Sequence, residues 1–215
     1  HKSMQMVKLI GPPTDCLSPL GEKLLEEGLR KETKAEFVVA VTRPPSVYRG
    51  NPFQVECALA FGGELSQERH AQLFRFANKV PLLYHASDCA TSESVTDTDW
   101  KRYGFSQSSG QLPQGQLAIL IHFASVWVPY TSEGKQAIAS YADIIKEMKL
   151  ALQEAGRRLS IYVRQKHKLP DEPQSFQNGV ENNPLYQEVL LYLLMLSIAK
   201  WFWANELIQK FLRTL

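Results

Sequence analysis

The stretch Leu117-Ala-Ile-Leu-Ile-His-Phe-Ala-Ser-Val-Trp-Val-Pro-Tyr-Thr-Ser-Glu-Gly-Lys135 decides how this chain is read. Up to Val128 it is an apolar run broken only by His122 and Ser125, of the length and composition of a buried strand. Pro129 and Gly134 then bracket a short polar loop. Beyond the loop, Ile138, Ile145, Leu152 and Leu159 recur every seventh residue, and Tyr141, Met148, Ala155 and Tyr162 do so on the adjacent row. This is the stripe of a helix that buries one side. With no proline between residues 130 and 169, the pattern predicts a helix over 134–168, roughly 50 Å long at about 1.5 Å per residue. Strand, polar loop and long helix together make a lever with something to sense at its hinge.

The far end of that helix carries Arg157, Arg158, Arg164, Lys166 and Lys168 with no acid among them. Cations near a helix C-terminus complement its dipole, but only over the last turn, and Arg157 and Arg158 lie too far back. They read as part of a projecting, solvated face that meets an anionic partner.

Working outward, residues 36–42 and 53–61 read as strands. Pro44-Pro45 stops the first. The second alternates Phe53, Val55, Cys57, Leu59 and Phe61 with more polar or smaller residues, as a half-buried strand does. Upstream, Ser18 as N-cap and Pro19 at the first position predict a helix to Arg30, with Leu24, Leu25 and Leu29 on one side. A second helix is predicted over 66–78, with Leu73, Phe74 and Ala77 inward and Pro81 closing it, followed by a short strand over 82–84. The polar residues 87–99 make a short capped helix or an ordered loop, and 106–115 a mobile loop. Downstream, 169–184 reads as a linker and 185–215 as an apolar helix. The helix is read first as a piece packed on another subunit, second as an interfacial or membrane helix, and third as a core helix of this chain. A membrane span needs about twenty apolar residues, and this run is short of that, so a membrane is not expected as a partner. The element order predicts an α+β two-layer sandwich, one sheet covered by helices. The expected divisions are 1–34 (linker and first helix), 35–168 (main domain, with its long helix over 134–168), 169–184 and 185–215.

Size and charge bound the function. At 215 residues and a net charge of +2, the chain has ample core and no global basic field, so any nucleic-acid contact must be local. Cys16, Cys57 and Cys89 are scattered, with no C-x-x-C pair, which argues against a structural zinc or a disulfide framework and favours a reducing compartment. His1–Gln5 reads as an interior cut point or cloning scar, not a signal peptide. His85, Asp88 and Cys89 lack ligand spacing and read as structural, and no metal site is expected. His122, inside an apolar strand, reads as a hydrogen-bonded core histidine.

Four motifs in order go beyond fold class: Val41-Thr-Arg-Pro-Pro-Ser-Val-Tyr-Arg-Gly-Asn-Pro-Phe-Gln-Val55, Arg75-Phe-Ala-Asn-Lys-Val-Pro-Leu-Leu-Tyr84, Trp100-Lys-Arg-Tyr103 and Val128-Pro-Tyr-Thr-Ser-Glu-Gly-Lys135. Together they resemble the B subunits of DNA topoisomerase VI, the type IIB enzyme typical of archaea, over residues 11 to 168. The resemblance places the chain in the family's transducer domain. It implies a sandwich with a left-handed βαβ crossover, which departs from the usual hand, and an ATP-binding domain upstream of residue 1. It also implies that Lys135 is the switch lysine that reaches the γ-phosphate of ATP, with Mg2+ and nucleotide held mainly by that other domain. Trp100, Lys101, Arg102 and Tyr103 correspond to a Trp-Lys-x-Tyr motif implicated in DNA contact. The implied partners are double-stranded DNA, the DNA-cleaving A subunit, and a second B subunit, at a cytoplasmic, nucleoid-associated site. Arg43, Arg49, Arg157 and Arg158 are weaker candidates for partner or DNA contact; loop scaffolding is the stronger reading for Arg43, Arg49 and Asn51. Ser125-Val-Trp127 departs from the family's Ser-Thr-Lys, so any task of that lysine is not carried over. This stretch alone is not expected to be catalytic. The competing readings are a DNA- or protein-binding scaffold of a diverged B-like protein, and a stand-alone enzyme, for which a Gly-rich phosphate loop and an acid–base set are lacking.

Overall fold

A computed structural model describes residues 13–168 apart from Glu68, and only the backbone of His167 and Lys168. In order these are α1 (Glu22–Thr33), β1 (Phe37–Thr42), β2 (Ser46–Tyr48), β3 (Asn51–Phe61), β4 (Gln72–Ala77), β5 (Val80–Pro81), α2 (Ala90–Thr96), a 3-10 turn (Trp100–Tyr103), β6 (Leu117–Ser125) and α3 (Ala142–Lys168). The chain divides into two units, His1–Arg164 and Gln165–Leu215, and the sheet with its coverings lies in the first. The cut point at residues 1–5, the linker over 169–184 and the apolar helix over 185–215 lie outside the described residues.

The strands form one mixed sheet in the order β1-β3-β6-β4-β5, with β2 also on β3. At 11 residues, β3 takes β1 and β2 in series along one edge and β6 along the other, all antiparallel. β4 runs parallel to β6 and is joined to it by a crossover that contains α2, the βαβ unit of an α+β sandwich.

Residue alternation divides the sheet into two buried faces. On one, Val39, Val41, Val55, Cys57, Leu59, Ile119, Ile121 and Phe123 meet Ile144, Met148, Leu152, Ala155, Leu159 and Val163 of α3, with Trp100 beside them. On the other, Val38, Ala40, Ala58, Ala60 and Ala118 form a floor small enough for Leu25 and Leu29 of α1 to lie on it. β3 is therefore buried on both faces rather than half-buried, and the signal was its run of alanines. α1 also closes the β1 edge: Glu26 accepts from the Ala40 N–H and Glu22 from the Thr42 N–H, both at 3.1 Å. The Arg158 guanidinium donates to the Ala40 carbonyl from the far side at 3.3 Å. An edge so occupied offers little to another strand. The turn after β3 passes hard against the end of α1. A Cβ on Gly63 (φ +67°) would stand 2.2 Å from the Lys34 carbonyl oxygen.

Several other expectations change. The predicted helix over 66–78 is a loop and then β4. Leu73, Phe74 and Ala77 happen to fall at helical spacing, but residues 72–77 ladder onto residues 118–123, and long-range pairing overrides local pattern. The next strand is Val80–Pro81, not 82–84; Pro81 lies on an edge strand, where a missing N–H is tolerated. α1 begins at Glu22 with Gly21 as its N-cap, and Ser18 instead receives the Lys79 ammonium at 2.8 Å.

The long helix begins at Ala142, not at 134, so its 27 residues span about 40 Å. Ile138 and Tyr141, two of the eight stripe residues, lie before it, because the backbone there is committed elsewhere: Ala139 N–H donates to Pro129 O at 2.7 Å, and Ile138 bridges Tyr130. Burial on the helix continues through Val163, and Arg164, Gln165 and Lys166 beyond it are exposed. Leu159, Ser160 and Val163 are buried, and Tyr162 stacks on Phe37 at 4.2 Å. The Tyr162 hydroxyl donates to Glu36 at 2.5 Å, and that bond, with burial and the carboxylate charge, pushes it up to about 12.

Across the α1 face, Thr42, Glu56 and His122 stand opposite one another on β1, β3 and β6. Glu56 is fully buried and accepts four hydrogen bonds, from Leu20 N–H (2.8 Å), Gly21 N–H (2.7 Å), Thr42 Oγ1–H (2.9 Å) and His122 Nδ1–H (2.7 Å). His122 Nε2 accepts the Lys79 N–H at 3.0 Å, which leaves the ring proton on Nδ1. His122 is thus the bonded core histidine expected of it. Burial alone would raise the Glu56 carboxyl, but the bonds from His122, Leu20, Gly21 and Thr42 outweigh it and hold the group below its ordinary value. A folded pKa below the unfolded one adds stability that is present above the unfolded value, about 4.3, and is lost as pH falls through the folded value. Thermal unfolding of wild type and Glu56→Gln should therefore differ most near neutral pH, with the gap closing in acid; a gap independent of pH would contradict this account.

Candidate functional site

Strand β6 ends at Ser125, which is pinned by the Asn78 side chain. The Asn78 amide donates to Ser125 O at 2.8 Å and accepts Ser125 N–H at 2.9 Å, extending the parallel ladder by one rung. Val126 and Trp127 are exposed. The chain then rises into a hairpin-like loop. Its base is closed by the Tyr130–Ile138 bridge, by Thr131 N–H to Ala137 O (3.0 Å) and by Ala139 N–H to Pro129 O. The same base is fixed to α2: Ala90 N–H donates to Ile138 O at 2.8 Å, and Ile138 N–H to Cys89 Sγ at 3.4 Å.

Residues 131–135 at the tip are all exposed. Lys135 takes the left-handed conformation, φ 52°, and its N–H turns back to Ser132 O at 3.1 Å. Its amine makes no hydrogen bond or ion pair among the described residues. A flexible stem ending in a compact cation thus stands at the end of a loop whose base is rigid.

From the base the chain passes directly into α3. Tyr141, the residue before the helix, stacks on Tyr48 at 4.6 Å, and the Arg49 guanidinium lies 5.3 Å and 5.4 Å from the two ring centroids. Arg43 donates to Glu147 of α3 through Nε and Nη2, both at 3.2 Å. The Pro-rich loop between β1 and β3 is thus scaffolding for the head of the helix, with Asn51 bonded to Arg49 O inside its turn.

The 3-10 turn is divided. Trp100 is fully buried and its Nε1–H donates to Val95 O at 2.8 Å. Tyr103 is half-buried, its ring set into the gap left by Gly156 of α3, where a Cβ would come within 2.9 Å. Burial pushes the Tyr103 hydroxyl up, against the opposing charges of Arg157 and Arg102. Lys101 and Arg102 are exposed, Arg102 paired with Asp99 at 3.0 Å. Arg157 pairs with Glu154, and Arg158 is shared among Glu154, Glu22 and Ala40 O. Of the motif's surface cations, Lys101 makes no ion pair among the described residues and Arg102 is held by Asp99, while Arg158 is used within the domain.

Among the described residues no cluster of three or more His, Cys, Asp and Glu is placed to hold a metal, and His85 and Asp88 are exposed while Cys89 is buried. Among those residues, too, no helix is long and apolar enough to cross a membrane. Sequence reading missed Glu56 and the Tyr48–Tyr141 stack. A lone acid in a strand of small and apolar residues was a usable signal for the first; the second depends on the hairpin folding back and had none.

The family model for the topoisomerase VI B subunit transducer matches residues 12–174. The chain is 48% identical over 168 residues to the B subunit of type 2 DNA topoisomerase 6 from Methanosarcina acetivorans, covering 78% of this chain and 27% of that protein. It is 49% identical over 164 residues to the corresponding protein of Archaeoglobus fulgidus (76% and 27%), and 45% over 168 to that of Thermococcus kodakarensis (78% and 29%). The chain thus spans little more than a quarter of the length of these relatives. Among solved structures it is similar to the gyrase B subunit of Myxococcus xanthus, at TM-score 0.42 and 16% identity over 63% of this chain and 39% of that one. A further likeness is to the 43K ATPase domain of Thermus thermophilus gyrase B, at TM-score 0.38 and 12% identity, over 69% and 39%. On the family match and these identities, the chain belongs to the topoisomerase VI B subunits, in the region of their transducer.

Proposed function

We propose that this chain couples ATP binding and hydrolysis in an adjoining domain to DNA passage by a partner A subunit, as the transducer of an ATP-dependent type II DNA topoisomerase. The observation that carries the reading is Lys135: an exposed amine without a partner among the described residues, on a loop whose base is bonded to α2 and continuous with α3. The described residues fit contact with a terminal phosphate held by another domain. They do not fit a nucleotide site of their own, since the loop offers one cation and no glycine-rich cradle. ATP with its Mg2+ would supply the negative charge that Lys135 meets and, on hydrolysis, the change in that charge.

What this chain does with the contact follows from its packing. A force on Lys135 is delivered through the 130–138 bridge to α2 and to Tyr141. Because α3 is buried against the sheet as far as Val163, the helix does not slide over the sheet. The domain turns as one piece, a rigid-body change of the hinge type. Lys101 and Arg102, exposed on the 3-10 turn, are placed for backbone phosphates of double-stranded DNA, with Trp100 and Tyr103 holding the turn against the core. The same reading includes a second B subunit, with a cytoplasmic, nucleoid-associated site of action.

In a complex of full-length B subunits with their A subunits, Lys135→Ala should lower ATP-dependent relaxation by about a hundredfold, the scale of removing one charge-directed contact. Unchanged relaxation would remove the role and favour a scaffold without ATP linkage. The double variant Lys101→Glu/Arg102→Glu should weaken DNA binding and reduce the slope of log affinity against log salt by about 1–2. Trp100→Phe should leave that slope alone and lower the melting temperature, since it removes the bond to Val95 and some of the core; an altered slope for Trp100→Phe would mean the ring meets DNA.

A further inference from the structure

The segment that leads into α1 is held to the sheet in an unusual way. Residues 13–19 are exposed apart from the half-buried Leu17, so apolar packing does little to fix them. Apart from the half-buried Leu20 side chain, what holds the segment is polar: Leu20 and Gly21 N–H donate to the buried Glu56 carboxylate, and the Lys79 ammonium donates to Ser18 Oγ. Glu56 passes the connection to His122 on β6, and His122 to the Lys79 N–H in the β4–β5 turn. The circuit closes on itself, from lead-in segment to Glu56, His122, Lys79 and back to Ser18. Asn78, beside Lys79 in that turn, pins the end of β6 through Ser125. Four residues beyond Ser125 the chain enters the base of the Lys135 loop.

A carboxylate in this position is not the cheapest way to stabilise the site. Desolvating it is costly, and an apolar residue of similar size packed against the α1 face would often do as well. What directional charge-assisted bonds add is a fixed angle and register between the groups they join. Here those groups are the lead-in segment and the strand that feeds the loop.

We propose that Glu56 is a positioning residue, which locks the chain arriving from an upstream domain to β6 so that the loop carrying Lys135 keeps a fixed relation to that domain. The proposal rests on the ATP-coupling reading above. In it, the domain turns as one piece only if its incoming segment turns with it; without the latch, the segment swivels at Gly21 (φ 85°) and part of the motion is lost.

The test uses full-length B subunits in complex with A subunits. It compares wild type, Glu56→Gln, Lys135→Ala and a core control, Val38→Ala, which lies outside the circuit. Glu56→Gln keeps the shape but sets an NH2 group against one of the donors. Hydrogen exchange at the Leu20 and Gly21 amides should rise about tenfold or more, the factor for losing a charge-assisted bond. ATP hydrolysis should stay within about twofold, and supercoils removed per ATP should fall about threefold or more, the range for residues that modulate coupling between sites. Val38→Ala should lower the melting temperature and keep that ratio. If Glu56→Gln does not fold, Thr42→Val, which removes one donor, should shift exchange and ratio in the same direction by less. Lost amide protection with an unchanged ratio overturns the proposal, as does unchanged amide exchange, or an equal fall in the ratio for Val38→Ala. In each of these cases a Lys135→Ala variant that still loses relaxation about a hundredfold leaves the coupling reading intact. If Lys135→Ala relaxes DNA normally, the coupling reading fails and this role for Glu56 fails with it.

Discussion

Every residue of β6 is buried, and the rest of the structure follows from that constraint. A strand in that condition must be paired on both edges and covered on both faces, since no backbone group or side chain has access to water. β3 and β4 supply the edges, α3 and α1 the faces. The parallel β4–β6 pair demands a crossover, and the crossover brings α2 to the end of the sheet where β6 leaves it. Thus the strand that feeds the loop also recruits the helix that braces the loop's base.

The burial of the strand also explains why the long helix works as a keel. Its apolar stripe continues through Leu159 and Val163, and Tyr162 is tied to both Phe37 and Glu36 at the start of β1. At its head, Tyr141 stacks on Tyr48 and Glu147 holds Arg43. With its head and its length as far as Val163 fixed, that part of the helix and the sheet are one body. The freedom that remains is at the tip, residues 131–135, and in how the lead-in segment meets the sheet. One carries an open cation; the other is governed by a buried carboxylate.

Glu56 and His122 show how a polar pair can sit inside such a core. Direct opposition on β3 and β6 lets one nitrogen of the ring face the carboxylate and leaves the other for the Lys79 N–H. Each partner satisfies the other, and the backbone groups of Leu20 and Gly21, which precede the first turn of α1, complete the set. A helix start that lacks a capping side chain of its own, with Gly21 at the N-cap, is thereby provided for by a residue 35 positions along the chain.

Much of this was legible in the residues themselves. The apolar run of β6, the paired prolines after β1, the helical stripe from Ile145 to Leu159 and the polar loop with Lys135 are local patterns, and local patterns report local geometry. The α+β class and the exposed tip follow from them. Three things were settled only by tertiary structure. Residues 72–77 are a strand because β6 offers a parallel edge, which no window of sequence contains. Residues 137–139 are not helical because their N–H and C=O groups are taken by Pro129, Thr131 and Ala90, and so the stripe residue Ile138 lies outside the helix. Arg43, Arg158 and Trp100 are occupied inside the domain because the fold sets Glu147, Ala40 and Val95 beside them. Periodicity tells which side of an element is apolar; it carries no information about which distant group will meet a given backbone amide or charge, and that meeting decided where the helix starts and which cations remain free.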